Sequence, residues 1–184
     1  MKYTASLDTL GKIITSGTII LLLILGYKSA NNLTSSMTQG DTVAVLMNSG
    51  ILLLFIATIV GCYLYAPKSY LLDSDSLTIV RPANNKKILL SDITEVRAIE
   101  DSEMTLTIRT FGVGGLFGYF GKYRNSKIGS MTFYATQRKN RILIQTKQGE
   151  KIIITPDDTS IIDALKTKTA AFKTNPVVHS GTDV

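Results

Sequence analysis

Val43 to Ala66 reads VAVLMNSGILLLFIATIVGCYLYA, twenty-four residues without a charge. No other feature narrows so far what this chain can fold into. A helix rising about 1.5 Å per residue covers roughly 36 Å over that length, against about 30 Å of bilayer hydrocarbon. Tyr63 and Tyr65 stand at its end, where amphipathic rings suit a membrane interface, and Pro67 with Lys68 stops it. The expectation is a transmembrane helix.

A second apolar run, Ile13 to Tyr27, lies between Lys12 and Lys28 and is diluted by Thr15, Ser16, Gly17 and Thr18. It spans if the flanking lysines snorkel. The rival is a cleaved signal peptide, which wants a basic leader and a small-residue exit. Asp8 in the leader and Lys28 at the exit count against that, so a second span is favoured over the cleaved signal. The expected spans are about 13–28 and 43–66, joined by a polar loop from Ser29 to Thr42. Lys2, Lys12 and Lys68 flank the outer ends of the pair, and only Lys28 borders the loop. The positive-inside rule then puts both termini in the cytoplasm. Cys62, the single cysteine, falls inside the second helix and cannot form an intrachain disulfide.

Beyond Pro67 the chain carries seventeen Lys and Arg against twelve Asp and Glu. SYLLDSDSLTIVR predicts two short strands about a polar turn at Asp73–Ser76. KKILLSDITEVRAI, EMTLTIRT, SMTFYATQ, RILIQTK and KIIITP carry further strand patterning, EMTLTIRT through Met104, Leu106 and Ile108. TPDDTSIIDALKTKTAAFK predicts one helix, capped by Thr155 or Asp157, with Pro156 in its first turn and an apolar stripe of Ile161, Ile162, Leu165 and Phe172. The fold class is α+β: two N-terminal transmembrane helices, then an antiparallel β-sandwich or barrel capped by a C-terminal helix. The domains are a membrane hairpin over 1–67, a β domain over 68–175 and a flexible tail over 176–184, which holds the only histidine, His179.

FGVGGLFGYFG, residues 111 to 121, asks whether the chain handles nucleotides. A dinucleotide fingerprint starting at Gly112 and Gly114 needs a third glycine where Phe117 stands. A P-loop ending at Gly121–Lys122 needs glycine at Leu116 and a hydroxyl residue at Tyr123. Neither motif is complete, and the following residues pattern as strand. The glycines are read instead as a wide connection that bends or bulges. Phe111, Leu116, Phe117, Tyr119 and Phe120 form a candidate contact loop. It either packs back on the β domain, presses into the lipid interface or meets a partner protein.

From Met104 to Gly149 there is no acidic residue and there are eight basic ones: Arg109, Lys122, Arg124, Lys127, Arg138, Lys139, Arg141 and Lys147. The first seven make a candidate face for an anionic surface. For a tethered domain the nearest polyanion is the lipid headgroup layer. A solvated basic face that keeps the domain soluble is the alternative.

Six or seven short strands and one closing helix are the plan of a pleckstrin-homology (PH) domain. LLSDITEVR, FGVGGLFGYFGKYRNSKIGSMTFYAT and ILIQTKQGEKIIITPDD resemble the bacterial PH-domain family of small membrane-associated proteins, over roughly residues 70 to 170. Two N-terminal spans are also common in such proteins. The resemblance implies a PH-like β domain at a bacterial inner membrane. Phosphoinositide-gripping PH domains place basic residues in the first hairpin loop. Here that loop is Asp73-Ser74-Asp75-Ser76, so phosphoinositide recognition is not carried over.

No catalytic constellation stands out. The one histidine lies in the tail, the one cysteine in a span, and the carboxylate pairs sit in turns or at a helix start. The leading expectation is a non-enzymatic, multi-pass protein of the bacterial cytoplasmic membrane. Its cytoplasmic PH-like domain is an interaction module for lipid, for a protein partner or for itself as a homo-oligomer. Neither nucleic acid nor nucleotide is an expected partner, and no cofactor or metal is expected. The alternatives are an accessory subunit of a larger membrane transport or envelope-stress complex and, behind it, an enzyme with an unseen site.

Overall fold

A computed structural model describes residues 1–174; the tail expected from 176 on, with His179, lies outside the described residues. Two features at the N-terminus depart from expectation. A strand, β1 (Lys2–Thr4), precedes the apolar runs, and the first run is helical far beyond its apolar part, as α1 (Thr9–Gln39). The second helix is α2 (Thr42–Tyr65). Both are long and apolar enough to cross a membrane.

The polar segment from Ser29 is therefore no loop. Its hydroxyls turn inward on the helix itself: Thr34 donates to the Ala30 carbonyl, Ser35 to Asn31 and Ser36 to Asn32. Back-bonding of this kind satisfies a side-chain donor without breaking the helix. The reversal needs only Gly40, left-handed at φ 72°, and Asp41, whose carboxylate accepts from the Ala44 amide and caps α2. Between the helices Ser29 Oγ donates to the Asn48 carbonyl and side-chain oxygens, at 3.3 and 3.2 Å. No residue of α2 is buried, and Leu46, Leu53 and Leu54 are each more than 60% exposed.

The β domain is two packed sheets. The first runs β1, β2 (Ser69–Leu72), β3 (Ser76–Val80), β4 (Lys86–Leu89), all antiparallel. The second has the order β5 (Ile93–Ala98), β9 (Ile142–Thr146), β10 (Lys151–Ile154), β8 (Gly129–Ala135), β7 (Tyr119–Asn125), β6 (Ile108–Gly114). One pair departs from the expected antiparallel arrangement: β10 runs parallel to β8, with Ile153 opposite Phe133. The β9–β10 hairpin, tight at Gly149, inserts between β5 and β8, so β8 can only meet the far edge of β10.

β9 and β10 are near-continuous apolar runs because both of their faces are covered. Ile142, Ile144, Ile152 and Ile154 face the inter-sheet core with Tyr70, Leu72, Leu77 and Ile79. Leu143 and Ile153 face a second core with Met131, Phe133, Ala135, Ile99 and Ile128. Helix α3 (Ile161–Thr174) closes the first core through Ile161 and Leu165, with Ile162 and Phe172 packed beside them. It starts later than expected, because its anticipated caps are used elsewhere. Thr155 Oγ1 accepts from the Thr136 amide, and Asp157 accepts from Ser6. Asp158 instead accepts from the Ser160 amide and hydroxyl.

EMTLTIRT is a strand only from Ile108. Residues 101–103 form a 3-10 turn closed by reciprocal Glu100 and Glu103 hydrogen bonds. Asn125 Nδ2 then donates to the Glu103 and Thr105 carbonyls and to Thr107 Oγ1, which fixes residues 104–107 as a turn. Leu106 there is left-handed at φ 59° and 77% exposed.

Candidate functional site

The glycine-rich stretch is a β-hairpin, not a wide connection. β6 and β7 pair from Ile108–Arg124 to Gly114–Tyr119, with a bulge between Arg109 and Phe111. Gly112 and Gly121 sit opposite each other at φ 112° and 125°. A Cβ on either would lie 2.7 Å from the other's Cα, so the two backbones touch where side chains would stand. Gly114 is under no such demand: its φ is outside the left-handed region, and a Cβ there would meet only the end of the flexible Arg109 side chain.

The turn of this hairpin docks on the helix pair. Thr15 Oγ1 on α1 donates to the Gly115 carbonyl at 3.0 Å and accepts from the Phe117 amide at 2.9 Å. Ile14 lies so close that a Cβ on Gly115 would be 2.7 Å from its Cδ1. Phe117 packs edge-on to Tyr63 of α2, centroids 5.6 Å apart at 80°. Asp8 ties the base of α1 to the same region. Its carboxylate accepts from the Gly11 amide, from the Tyr119 hydroxyl and from Arg138.

The five candidate contact residues thus divide. Leu116 and Phe120 are buried, Phe117 and Tyr119 half-buried, and Phe111 is 78% exposed. The seven candidate cations divide as well. Lys122 and Arg124 lie on β7, and Lys122 donates to Thr132 Oγ1. Arg109 lies beside the Tyr123 hydroxyl, whose pKa burial pushes up. Lys127 donates to the Ser102 carbonyl near the far turn. Arg138, Lys139 and Arg141 line a cleft of about 790 Å³ together with Leu7, Asp8 and Lys12. In that cleft Arg138 pairs with Asp8 and Arg141 with Asp101.

A second concavity of about 630 Å³ lies between the last turn of α2 and the β6–β8 face. Gly61, Cys62 and Tyr65 form its helix wall, and Phe111, Val113 and Phe120 its hairpin wall. Arg81 and Lys122 are its cations, with Thr132 and Tyr134 beside them. Arg81 sits 5.8 Å from the Tyr65 centroid and 5.2 Å from that of Tyr134. Its Nε donates to the Asn84 carbonyl and its Nη2 to the Asn84 side chain. Sequence reasoning missed Arg81, Asp8 and Thr15, since each acts across contacts far apart in the chain. Among the described residues no group of three or more His, Cys, Asp or Glu could hold a metal.

The family model described as bacterial PH domain matches residues 68–169, more than half of the chain. Neither curated proteins nor solved structures give a match. Two packed sheets closed by a C-terminal helix are what that match leads one to find, and the chain belongs to the bacterial PH-domain family.

Proposed function

We propose that this chain is a membrane-anchored, non-enzymatic interaction module. Its helical hairpin holds the PH-like domain against the cytoplasmic face of a bacterial membrane, where the domain engages anionic lipid, a protein partner or a second copy. The observation that carries this reading is the docking of the β6–β7 turn on α1 and α2 through Thr15, Ile14 and Tyr63. A domain held only by a linker has no need of such contacts; one poised at a membrane surface does.

Two further observations support it. Much of the apolar surface of α2, with Leu46, Leu53 and Leu54 in it, is exposed, and at about 25 cal/mol per Å² such area seeks an apolar surrounding. β1 pairs with β2, from Lys2–Leu71 to Thr4–Ser69, so cleavage of the first run as a signal would strip a strand from the sheet.

The test uses single cysteines in a Cys62→Ser background and a membrane-impermeant maleimide on intact cells. Gln39→Cys is expected to label from outside, and Lys68→Cys only after permeabilisation. The reverse pattern would invert the orientation, and labelling of both positions from outside would remove the spans.

An accessory-subunit role draws on a different observation. β6 is an edge strand with Ile108 and Phe111 exposed at 61% and 78%, a surface on which another subunit's strand can pair. Stoichiometric co-purification of one heteromeric partner, lost on Ile108→Lys, would favour it.

A further inference from the structure

We propose that the groove between the last turn of α2 and the β6–β8 face binds one anionic phospholipid. The acyl chains lie against Gly61, Cys62 and Phe111, and the phosphate meets Arg81 and Lys122. This rests on the membrane-anchored reading above and names the ligand of that domain. Arg81 follows the opposite end of β3 from the acidic Asp73–Ser76 turn, and no residue of that turn lines the groove, so the groove is a different surface from the first hairpin loop.

The argument begins with charge. Arg81 and Lys122 line the groove, its lining contains no carboxylate, and neither residue has an ion-pair partner among the described residues. Cations against an apolar wall without a counter-ion favour an incoming anion. The neighbouring cleft differs here, because Arg138 and Arg141 already have Asp8 and Asp101.

Geometry is the next step. Arg81 is held before any ligand arrives. Tyr65 and Tyr134 flank its guanidinium, and Asn84 takes its Nε and Nη2 hydrogens. Nη1 has no hydrogen-bond partner among the described residues. A planar guanidinium held along its Nε–Nη2 edge and open at Nη1 suits a phosphate oxygen. Lys122 is exposed, and its ammonium donates to Thr132 Oγ1 at 2.8 Å.

The apolar wall selects the source of the phosphate. Gly61 and Cys62 belong to the uncharged helix, so the groove opens where α2 enters the hydrocarbon. Its volume of about 630 Å³ is that of a small-molecule site and takes the glycerophosphate and the first part of the chains. Inorganic phosphate would leave that wall uncovered, and a zwitterionic lipid brings its own cation to a site that already has two.

The test is native mass spectrometry of the delipidated full chain in nonionic detergent, titrated with phosphatidylglycerol or phosphatidylcholine. One phosphatidylglycerol adduct is expected in clear preference to phosphatidylcholine, undisturbed by millimolar inorganic phosphate. Arg81→Gln and Lys122→Gln are each expected to weaken it about fivefold, with Lys139→Gln without effect. Gly61→Leu keeps both charges and fills the groove from the helix side, where a Cβ has open space; it is expected to abolish the adduct. Equal retention of the two lipids, or indifference to all three groove substitutions, would overturn the site. So would a groove occupied by a second copy, seen as a dimer that Gly61→Leu dissociates. Carbonate extraction separates this from the parent reading. A chain that stays in the membrane yet shows no preference loses only the lipid site, while a chain that is extracted loses both.

Discussion

At the scale of single residues, two sites decide more than their neighbours. Gly112 and Gly121 allow two strands to touch, and a Cβ on either meets backbone that cannot step aside. Gly112→Ala is expected to destabilise the solubilised protein by at least about 2 kcal/mol, read as a lower melting temperature. Gly114→Ala, which displaces only the Arg109 tip, is expected to stay within about 0.5 kcal/mol. The other site is Tyr70, fully buried, whose hydroxyl donates to the Tyr134 carbonyl at 2.7 Å and accepts from the Thr155 amide at 3.1 Å. One phenol thereby bonds two backbone groups, one on β8 and one just past the end of β10. Tyr70→Phe leaves both unpaired and is expected to cost about 2 kcal/mol in denaturant unfolding. Burial pushes the Tyr70 pKa up to about 12, above the ordinary phenol value. The folded state thus prefers the neutral form, so this contribution is complete below about pH 10 and is lost as pH rises through about 12. Stability of the native protein should fall over that window by roughly 3 kcal/mol more than that of Tyr70→Phe.

At the scale of elements, the β6–β7 hairpin acts as a wedge between sheet and helices. Among the described residues its turn hydrogen-bonds to α1 only through Thr15, which both donates and accepts there. Thr15→Val keeps the shape and removes both hydrogen bonds. Hydrogen exchange at the Phe117 amide is expected to quicken at least tenfold, with the β9–β10 amides unchanged. Protection equal to wild type would mean that Ile14 and Tyr63 alone hold the turn. The helix pair has its own clasp, Ser29 on Asn48. Interhelical hydrogen bonds of this kind are worth about 0.6 kcal/mol on average, so Asn48→Leu is expected to shift the hairpin's stability only slightly. The elements also show why local pattern misleads. Met104, Leu106 and Ile108 alternate as a strand would, yet Asn125 claims the backbone of 103–107 for a turn. Thr155 and Asp157 have the chemistry of helix caps, yet Thr136 and Ser6 take them.

At the scale of the whole molecule, the chain closes on itself. β1 lies in the first sheet beside β2, so the two outer ends of the helical hairpin lie on the domain side. Ser6 donates to Asp157 from amide and hydroxyl and so ties the N-terminal segment to the approach to α3. Burial alone would raise the Asp157 carboxyl, but these hydrogen bonds outweigh it and hold the pKa below the ordinary carboxylate value. A depressed pKa stabilises above the unfolded value and is lost as pH falls through the folded one. Release of β1, followed by exchange at the Tyr3 and Leu72 amides, is therefore expected to begin below about pH 4 and to occur at neutral pH in Asp157→Asn.

What the sequence alone determined is what one residue and its near neighbours can fix. The uncharged run ending at Tyr65 dictates a helix of membrane length, since length and apolarity are additive along a chain. The short β-rich segments and the Ile161–Leu165–Phe172 stripe dictate two-layer sheet packing closed by a helix, because period and burial are local. The incomplete spacing at Phe117 and Tyr123 speaks against a phosphate loop for the same reason. The tertiary structure decided everything that needs two distant segments to meet. It folded residues 111–121 into a hairpin, because Gly112 faces Gly121 only after β6 finds β7. It sorted the acid-free basic window into separate groups and drew in Asp8, Asp101 and Arg81 from outside it. It placed Arg81, just past β3, beside Lys122 of β7 at the end of α2, three segments whose proximity is a property of the packed sheets and of no stretch of sequence.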